Sequence, residues 1–284
     1  MLIELKITGS EDGKLFGDIL KSRGFSRRLV LRMKRTEGGM TRGGETIRTV
    51  DAVREGDVIV IRDEDGIHPL RANNELCVPV LYEDSEVVVF DKPAMMPVHP
   101  STKHTDDTLG NYFAVRYPML TFRPVSRLDR DTTGCVLAAK SQYAAAFLQK
   151  GFGKRYLAVC CGVPDEREGI IDAPIARERN SIISRCVRED GKDSVTKYRV
   201  ISENGKYALC EVMPITGRTH QIRVHFAHIG HPLAGDDLYH GSREDIRRQA
   251  LHCCEIRFTS PADGLEHTVK SALPKDMEEL AAQR

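Results

Sequence analysis

The chain has 284 residues, of which 40% are hydrophobic and 29% are charged. This composition is typical of a soluble globular protein, and the length allows one well-buried core plus a smaller module. No run of about 18 apolar residues occurs, so we expect no membrane span. The first residues, MLIELKITGSEDG, include acids and no long apolar block, which argues against a secretory signal. The net charge of +1 excludes a protein that coats nucleic acid indiscriminately.

The eight cysteines form no CxxC pair and have no zinc-like spacing. We therefore expect buried thiols in a protein of the reducing cytoplasm, without disulfide bonds or a metal. The sequence also lacks a phosphate-binding Walker loop and the HExxH spacing of zinc proteases. The cysteines are Cys77, Cys135, Cys160, Cys161, Cys186, Cys210, Cys253 and Cys254.

The first sixty or so residues are predicted to form a separate unit. Segments 14–22 and 26–34 favour two short amphipathic helices broken at Gly24, with Ser26 capping the second, and 58–61 favours a strand. Seven basic residues and no acidic one lie between positions 21 and 35. Salt screens charges beyond about 10 Å, so this patch can attract a polyanion despite the small net charge. The alternative is an ordinary solvated helix. The seven are Lys21, Arg23, Arg27, Arg28, Arg32, Lys34 and Arg35.

A polar stretch at 63–74, DEDGIHPLRANN, is predicted to link residues 1–62 to a second unit at 75–284. Two helices are expected there, at 108–117, opened by Asp107, and at 142–150. Strand-like segments otherwise dominate, and few helices separate them. We therefore predict an α+β fold with a mixed, largely antiparallel sheet. The predicted strands are 79–82, 87–90, 156–161, 195–201, 207–212, 221–225 and 252–258.

The segment RLDRDTTG, at 127–134, packs two arginines, two aspartates and two threonines into a turn-like stretch before the apolar run 135–139. It favours a polar site at the start of a strand. A plain alternative is a charged surface loop in which arginines and aspartates neutralise one another.

A second polar concentration, TGRTHQIRVH, occupies 216–225. Its polar residues alternate with Ile222 and Val224, which is typical of a strand with one buried face. Arginines and histidines on the other face would suit phosphates and a carboxylate. The alternative is an ordinary sheet face. The polar residues are Thr216, Arg218, His220, Gln221, Arg223 and His225.

With these two segments the chain resembles the RluA/RluD-type pseudouridine synthases. SRLDRDTTG is similar to that family's catalytic motif, usually HRLDRDTSG. The resemblance covers roughly residues 78–275. Two positions depart from the pattern, since Ser126 stands where the family usually has His, and Met95 where it usually has Gly. The other matching segments, in the family's order, are FDKPAMMPVHP, KRYLAVCCG, GKDSVTKY, GHPLAGDDLY and LHCCEIRFTSP.

Residues 1–62 are more weakly similar to the small S-four RNA-binding domain, which often precedes this catalytic domain. The similarity lies in two helices followed by a GxxxxxG…GDxI pattern. It implies that Arg27, Arg28 and Arg32 bind RNA.

The family resemblance implies an RNA pseudouridine synthase that uses no cofactor, because the isomerisation gains no atom and changes no oxidation state. It makes Asp129 the catalytic carboxylate, Arg218 its ion-pair partner and Tyr156 the ring that stacks on the uracil. Arg127 would fill the gap left by the flipped nucleotide. The carboxylate could add covalently or take a proton from the sugar, and both routes stay open. Leu157 and Ile222 are expected to wall the pocket.

Two other functions stay open at this point. One is a non-catalytic RNA-binding or ribosome-assembly protein that retains the fold. The other is a carboxylate-dependent hydrolase of a small ligand, against which the basic N-terminal segment argues. An RNA-binding module favours large-subunit ribosomal RNA as substrate, with transfer RNA as the alternative. We expect a monomer in the cytoplasm.

Overall fold

The computed structural model describes residues 2–62, 70–149 and 151–282. Most of the predicted linker therefore falls outside the described residues, and so does the side chain of Arg28. The helices are α1 (Phe16–Ser22), α2 (Arg27–Met33), α3 (Leu109–Arg116), α4 (Gln142–Leu148), α5 (Gln221–His228) and α6 (Lys275–Ala282). None of the helices in the described ranges is long and apolar enough to cross a membrane.

Strands β1 to β4 form a four-stranded antiparallel sheet in the order β1-β4-β2-β3. Helices α1 and α2 pack on it through a small core that includes Phe16, Leu20 and Leu29. Ser26 caps α2 as predicted, since its hydroxyl accepts a hydrogen bond of 3.2 Å from the Leu29 amide. The strands are β1 (Leu2–Lys6), β2 (Met40–Arg42), β3 (Glu45–Thr46) and β4 (Val58–Arg62).

This small core reaches the rest of the protein at α4. The ring of Tyr143 lies 4.6 Å from that of Phe25, and Phe147 packs against the same cluster. Such aromatic contacts fix the approach of two elements better than aliphatic ones, because ring pairs prefer defined geometries.

The remaining main strands form a ten-stranded sheet with the path β10-β13-β14-β9-β15-β8-β6-β5, to which β16 and β7 attach. Its pairs are antiparallel except β8 with β15. This confirms the predicted α+β fold with a mixed, largely antiparallel sheet. The strands are β5 (Val80–Glu83), β6 (Val87–Lys92), β7 (Arg123–Pro124), β8 (Thr133–Ala139), β9 (Phe152–Cys161), β10 (Glu168–Asp172), β13 (Val195–Glu203), β14 (Tyr207–Pro214), β15 (Leu251–Thr259) and β16 (Glu266–Lys270), and a separate hairpin comprises β11 (Ile175–Arg177) and β12 (Arg185–Val187).

Two local predictions were wrong. Helix α3 is capped by Thr108, whose hydroxyl accepts from the Asn111 amide, and not by Asp107. Segment 221–225 lies in helix α5 and not in a strand. Residues 221–226 are all buried. Because no face of this segment is exposed to water, its sequence shows neither the period of a strand nor that of an amphipathic helix. Over five residues the two periods cannot be separated.

The expectation for the cysteines was only partly right. All eight are free thiols, and Cys135, Cys160, Cys210 and Cys253 are buried, but Cys77 is exposed.

Met95 has a left-handed backbone with φ of 61°, and its side chain is 73% exposed. That conformation costs a side-chain-bearing residue about 1–2 kcal/mol, which explains why glycine is usual here. Met95→Gly is therefore expected to raise the free energy of unfolding by about 0.5–1 kcal/mol. The melting temperature should rise by about 2 °C.

The matched control is Met119→Gly, because Met119 is 69% exposed without a positive φ. There the substitution should leave the melting temperature unchanged or lower it. Equal shifts in the two variants would contradict the strain at Met95.

Candidate active site

A cavity of about 460 Å³ opens where the loop before β8, the start of β9 and the start of α5 meet. Its lining includes charged, uncharged polar and apolar side chains. The two polar segments identified in the sequence, 127–134 and 216–225, both contribute to its wall. The lining residues include Arg127, Asp129, Lys154, Tyr156, Arg218, His220, Ile222 and Arg223.

Asp129 lies in a tight turn, in which the Thr132 amide donates to its carbonyl at 3.2 Å. The buried Lys92 ammonium fixes the next residue, because it donates to the carbonyl oxygens of Arg130, Met96 and Pro93 at 2.7–2.9 Å. Three carbonyls match the three hydrogens of an ammonium. Lys92 thereby ties the loop that carries Asp129 to the loop that follows β6.

Gly134, the last residue of the motif, has a structural requirement. Its φ is 104°, and a Cβ there would lie 2.2 Å from the carbonyl oxygen of Cys253. Only glycine permits this close approach of β8 to β15. The parallel pairing of these two strands fixes the end of the loop that carries Asp129.

The guanidinium beside Asp129 belongs to Arg223, whose Nη1 donates to Oδ2 at 2.9 Å. The expectation that Arg218 would be the partner was wrong, because the Arg218 side chain is exposed and its Nε donates to the carbonyl of Asp193. The cause is helix α5. Arg223 lies in the first turn of α5 and lines the cavity, and His220, which directly precedes the helix, lines the same cavity.

Arg223 is itself held by a second carboxylate. Its Nε and Nη2 donate to the two oxygens of Asp236, each at 2.7 Å, and both side chains are buried. Burial opposes the charge of Arg223, but the hydrogen bonds and charges of Asp236 and Asp129 outweigh it and raise its pKa. The Arg223 guanidinium is therefore permanently cationic and fixed in orientation.

The alternative interpretation of RLDRDTTG, a surface loop whose charges neutralise one another, applies to Arg130 and Asp131. Arg130 and Asp131 pair with each other at 2.9 and 3.0 Å, and Arg130 is exposed. Asp129 takes no part in that pair, and its carboxylate faces the cavity.

Strand β9 contributes Tyr156 and Lys154. The Tyr156 ring is buried, and burial raises the pKa of its hydroxyl well above the ordinary value. Lys154 Nζ donates to that hydroxyl at 3.1 Å. Leu157 does not line the cavity, contrary to expectation, because consecutive strand residues point to opposite faces.

The other predicted residues are distributed as follows. Arg127 and Ile222 line the cavity, with Arg127 exposed and Ile222 buried. On α2, Arg27 is exposed and Arg32 is half-buried. Ser126, at the position where the related motif has His, is buried, and its hydroxyl accepts from the Leu137 amide at 2.9 Å. Ser126 thus fastens the loop to β8.

Four residues of this arrangement were not assigned a role from sequence: Lys154, His220, Arg223 and Asp236. His220 and Arg223 were noted only as members of a polar segment, and Asp236 lies in the GHPLAGDDLY segment without a stated function. A helical interpretation of 221–228 would have placed Arg223 in the first turn of a helix that begins directly after His220.

A second cavity adjoins the first and shares residues 217–219 with it. Its lining includes four cationic side chains and one carboxylate, Asp190. Hairpin β11–β12 forms its far wall. The cationic residues are Arg177, Arg185, Lys192 and Arg218.

Across residues 2–62, 70–149 and 151–282, no cluster of three or more His, Cys, Asp or Glu side chains has a metal-binding arrangement. The polar groups that line the cavity include the Asp129 carboxylate with its cationic partner Arg223, the Tyr156 phenol and the Lys154 ammonium.

Comparison with known proteins identifies the same family as the sequence motifs. The model of the family described as RNA pseudouridylate synthase matches residues 86–228. The chain is 35% identical to a Bacillus subtilis protein named uncharacterized RNA pseudouridine synthase YjbO, over 90% of this chain and 94% of that one. It is also 35% identical to the ribosomal large subunit pseudouridine synthase D of Xanthomonas campestris, over 84% of this chain and 78% of that one.

Among solved structures, human RNA pseudouridylate synthase domain containing 1 superposes with a TM-score of 0.58 at 25% identity. The match covers 72% of this chain and 93% of the human one. The fold, the order of the motifs and the relatives therefore agree, and the chain belongs to the RNA pseudouridine synthase family of isomerases.

Proposed function

We propose that the enzyme converts specific uridines of large-subunit ribosomal RNA to pseudouridine, with Asp129 as the reacting carboxylate. The observation that carries the proposal is the pairing of the Asp129 carboxylate, at the cavity wall, with a guanidinium fixed from behind by Asp236. A carboxylate held in one rotamer beside a fixed cation is suited to react with a bound sugar.

The isomerisation breaks the bond from N1 of uracil to C1′ and forms a bond from C5 to C1′. C5 loses its hydrogen and N1 gains a proton, so neither an external oxidant nor a cofactor is required. Asp129 would either add covalently or take a proton from the sugar while the base is detached. The neutral Tyr156 ring would stack on the uracil and keep it in place during its rotation.

Access to the base requires that the nucleotide leave its stack, which costs a few kcal/mol. We propose that the exposed Arg127, at the cavity rim, fills the gap and grips adjacent phosphates, a role suited to a planar cation. The adjoining cationic cavity would take phosphates next to the target nucleotide. The cavity that holds Asp129 would then receive the everted uridine.

The choice of ribosomal RNA rests on relatives named for the large ribosomal subunit, such as that of Xanthomonas campestris. Transfer RNA is the competing substrate. Pseudouridines should be mapped in both RNAs from cells with and without this protein. Loss of sites confined to large-subunit RNA would support the proposal, and loss confined to transfer RNA would overturn the choice of substrate.

We also propose that residues 1–62 form an S-four-like RNA-binding domain, joined through 63–74 to a catalytic domain at 75–284. Within the basic stretch on α2, Arg27 is exposed and Arg32 is half-buried. Replacing both with Gln should weaken RNA binding and lower the slope of log affinity against log salt by about 1.8, because each lost phosphate contact releases one counterion fewer.

The control for that experiment replaces Arg167 and Arg199 with Gln. Both are exposed arginines outside the basic stretch, and they pair with Glu203 and Glu211. This variant should keep the salt slope of the unaltered protein. A slope unchanged by the α2 substitutions would mean that the basic stretch is only a solvated face.

A further inference from the structure

His220 has a backbone conformation that a residue with a side chain adopts only at a cost. It precedes α5 with φ of 57° and ψ of 17°, in the left-handed region. Within the described ranges, Met95 and His240 are the other non-glycine residues with positive φ, and neither lines the Asp129 cavity. Strain of this kind persists where the surrounding structure requires one particular side chain in one place.

The hydrogen bonds of Tyr239 determine which nitrogen of His220 carries the proton. The Arg185 amide donates to the Tyr239 oxygen at 3.0 Å. The tyrosine hydrogen is then available to His220 Nδ1, which lies 2.7 Å away. With Nδ1 accepting, a neutral imidazole carries its hydrogen on Nε2. Burial lowers the pKa of His220 although Asp129 opposes the shift, which favours this neutral ring.

The protonated nitrogen faces the reacting carboxylate. His220 Nε2 lies 3.7 Å from Asp129 Oδ2, the same oxygen that accepts from Arg223. In the part of the chain that the structure describes, no side-chain hydrogen bond is made to Oδ1. Distances of this kind commonly shorten when substrate closes the site. Oδ2 thus has Arg223 within hydrogen-bond distance and His220 nearby, whereas Oδ1 has no such neighbour among the described side chains.

We propose that His220, held by Tyr239 as the Nε2–H tautomer, is a positioning residue that fixes Asp129 through Oδ2 and directs Oδ1 to the ribose. The proposal rests on the function assigned above to Asp129. The restraint adds no second charge, since the ring is neutral. Tyr239 serves both restraints, because its ring also lies 5.0 Å from the Arg223 guanidinium.

The first test is His220→Asn. Asparagine tolerates the left-handed backbone but is too short to reach Asp129. We expect kcat to fall by about tenfold to a hundredfold, with an unchanged or raised melting temperature and unchanged RNA affinity. In His220→Gln, whose amide nitrogen can occupy the place of Nε2, kcat should be partly restored. A fall in kcat matched by lost stability in both variants, or kcat near that of the unaltered enzyme, would overturn the proposal.

The second test is a double-mutant cycle with Tyr239→Phe, which keeps the ring and removes the hydroxyl. If Tyr239 acts through His220, the double variant with His220→Asn should be no slower than His220→Asn alone. If the losses of kcat in the two single variants multiply in the double variant, Tyr239 does not act by fixing the tautomer of His220. Asp129→Asn is assayed beside them. Activity in that variant would refute the proposed function itself, whereas an inactive Asp129→Asn with fast His220 variants refutes only this inference.

Discussion

Asp129→Asn is expected to lower the rate of pseudouridine formation by more than about a thousandfold, equivalent to about 4 kcal/mol of transition-state stabilisation. The amide can neither add to the sugar nor take its proton, whichever route the enzyme uses. Its shape is nearly that of the carboxylate, so folding and RNA affinity should change little. Conversion is measured by chromatography of nucleosides from digested RNA, in single turnover with enzyme in excess.

The matched control is Asp131→Asn. Asp131 lies in the same loop but pairs with Arg130 and does not line the cavity. The Arg130 side chain is 48% exposed and that of Asp131 is 16% exposed, and a pair at the surface of this type contributes about 0–1 kcal/mol to stability. This variant should keep most of its activity. If Asp129→Asn still converts uridine, or if the two variants lose activity equally, Asp129 is not the reacting carboxylate.

Arg223→Lys is expected to lower kcat by about a hundredfold, because an ammonium cannot contact Asp129 and both oxygens of Asp236 in the geometry of the guanidinium fork. Lysine keeps a positive charge between the two carboxylates, which limits the loss of stability. Arg223→Met would leave Asp236 buried without a partner and should cost about 3–5 kcal/mol of stability. Lysine is therefore the informative substitution, assayed together with thermal melting.

The comparison for Arg223 is Arg218→Lys. Arg218 is exposed and contacts the Asp193 carbonyl, not Asp129. Its replacement should raise the RNA concentration needed for half-maximal rate and lower kcat by less than about tenfold. A larger loss of kcat from Arg218→Lys than from Arg223→Lys would contradict the ion pair seen in the structure.

Several features could be predicted from sequence because they depend on local patterns. The α+β class followed from many short strand-like segments with few helices between them. The N-cap at Ser26 followed from a hydroxyl placed before an amphipathic run. The importance of 127–134 and 216–225 followed from unusual concentrations of polar side chains, and both segments line the same cavity.

The errors arose where tertiary packing decides the outcome. The first six residues of α5, 221–226, are buried, so this part of the sequence has no polar face that would reveal the helical period. The family resemblance implies Arg218 as the partner of Asp129, and a strand at 221–225 offers no argument for Arg223 in its place. Leu157 was assigned to the pocket as a neighbour of Tyr156, although alternation along β9 places neighbours on opposite faces. The hydrogen bonds between Arg223 and Asp236 join residues that are 13 positions apart in the sequence, and no local pattern indicates them.

The most direct test of the account is tritium release from RNA labelled at C5 of uridine, with the unaltered protein. Isomerisation frees the C5 hydrogen, whereas binding alone does not. We predict one tritium released to water for each pseudouridine formed, with no free uracil. RNA that is bound without tritium release would identify a non-catalytic binding protein, and free uracil would identify a hydrolase. Either result would contradict the account.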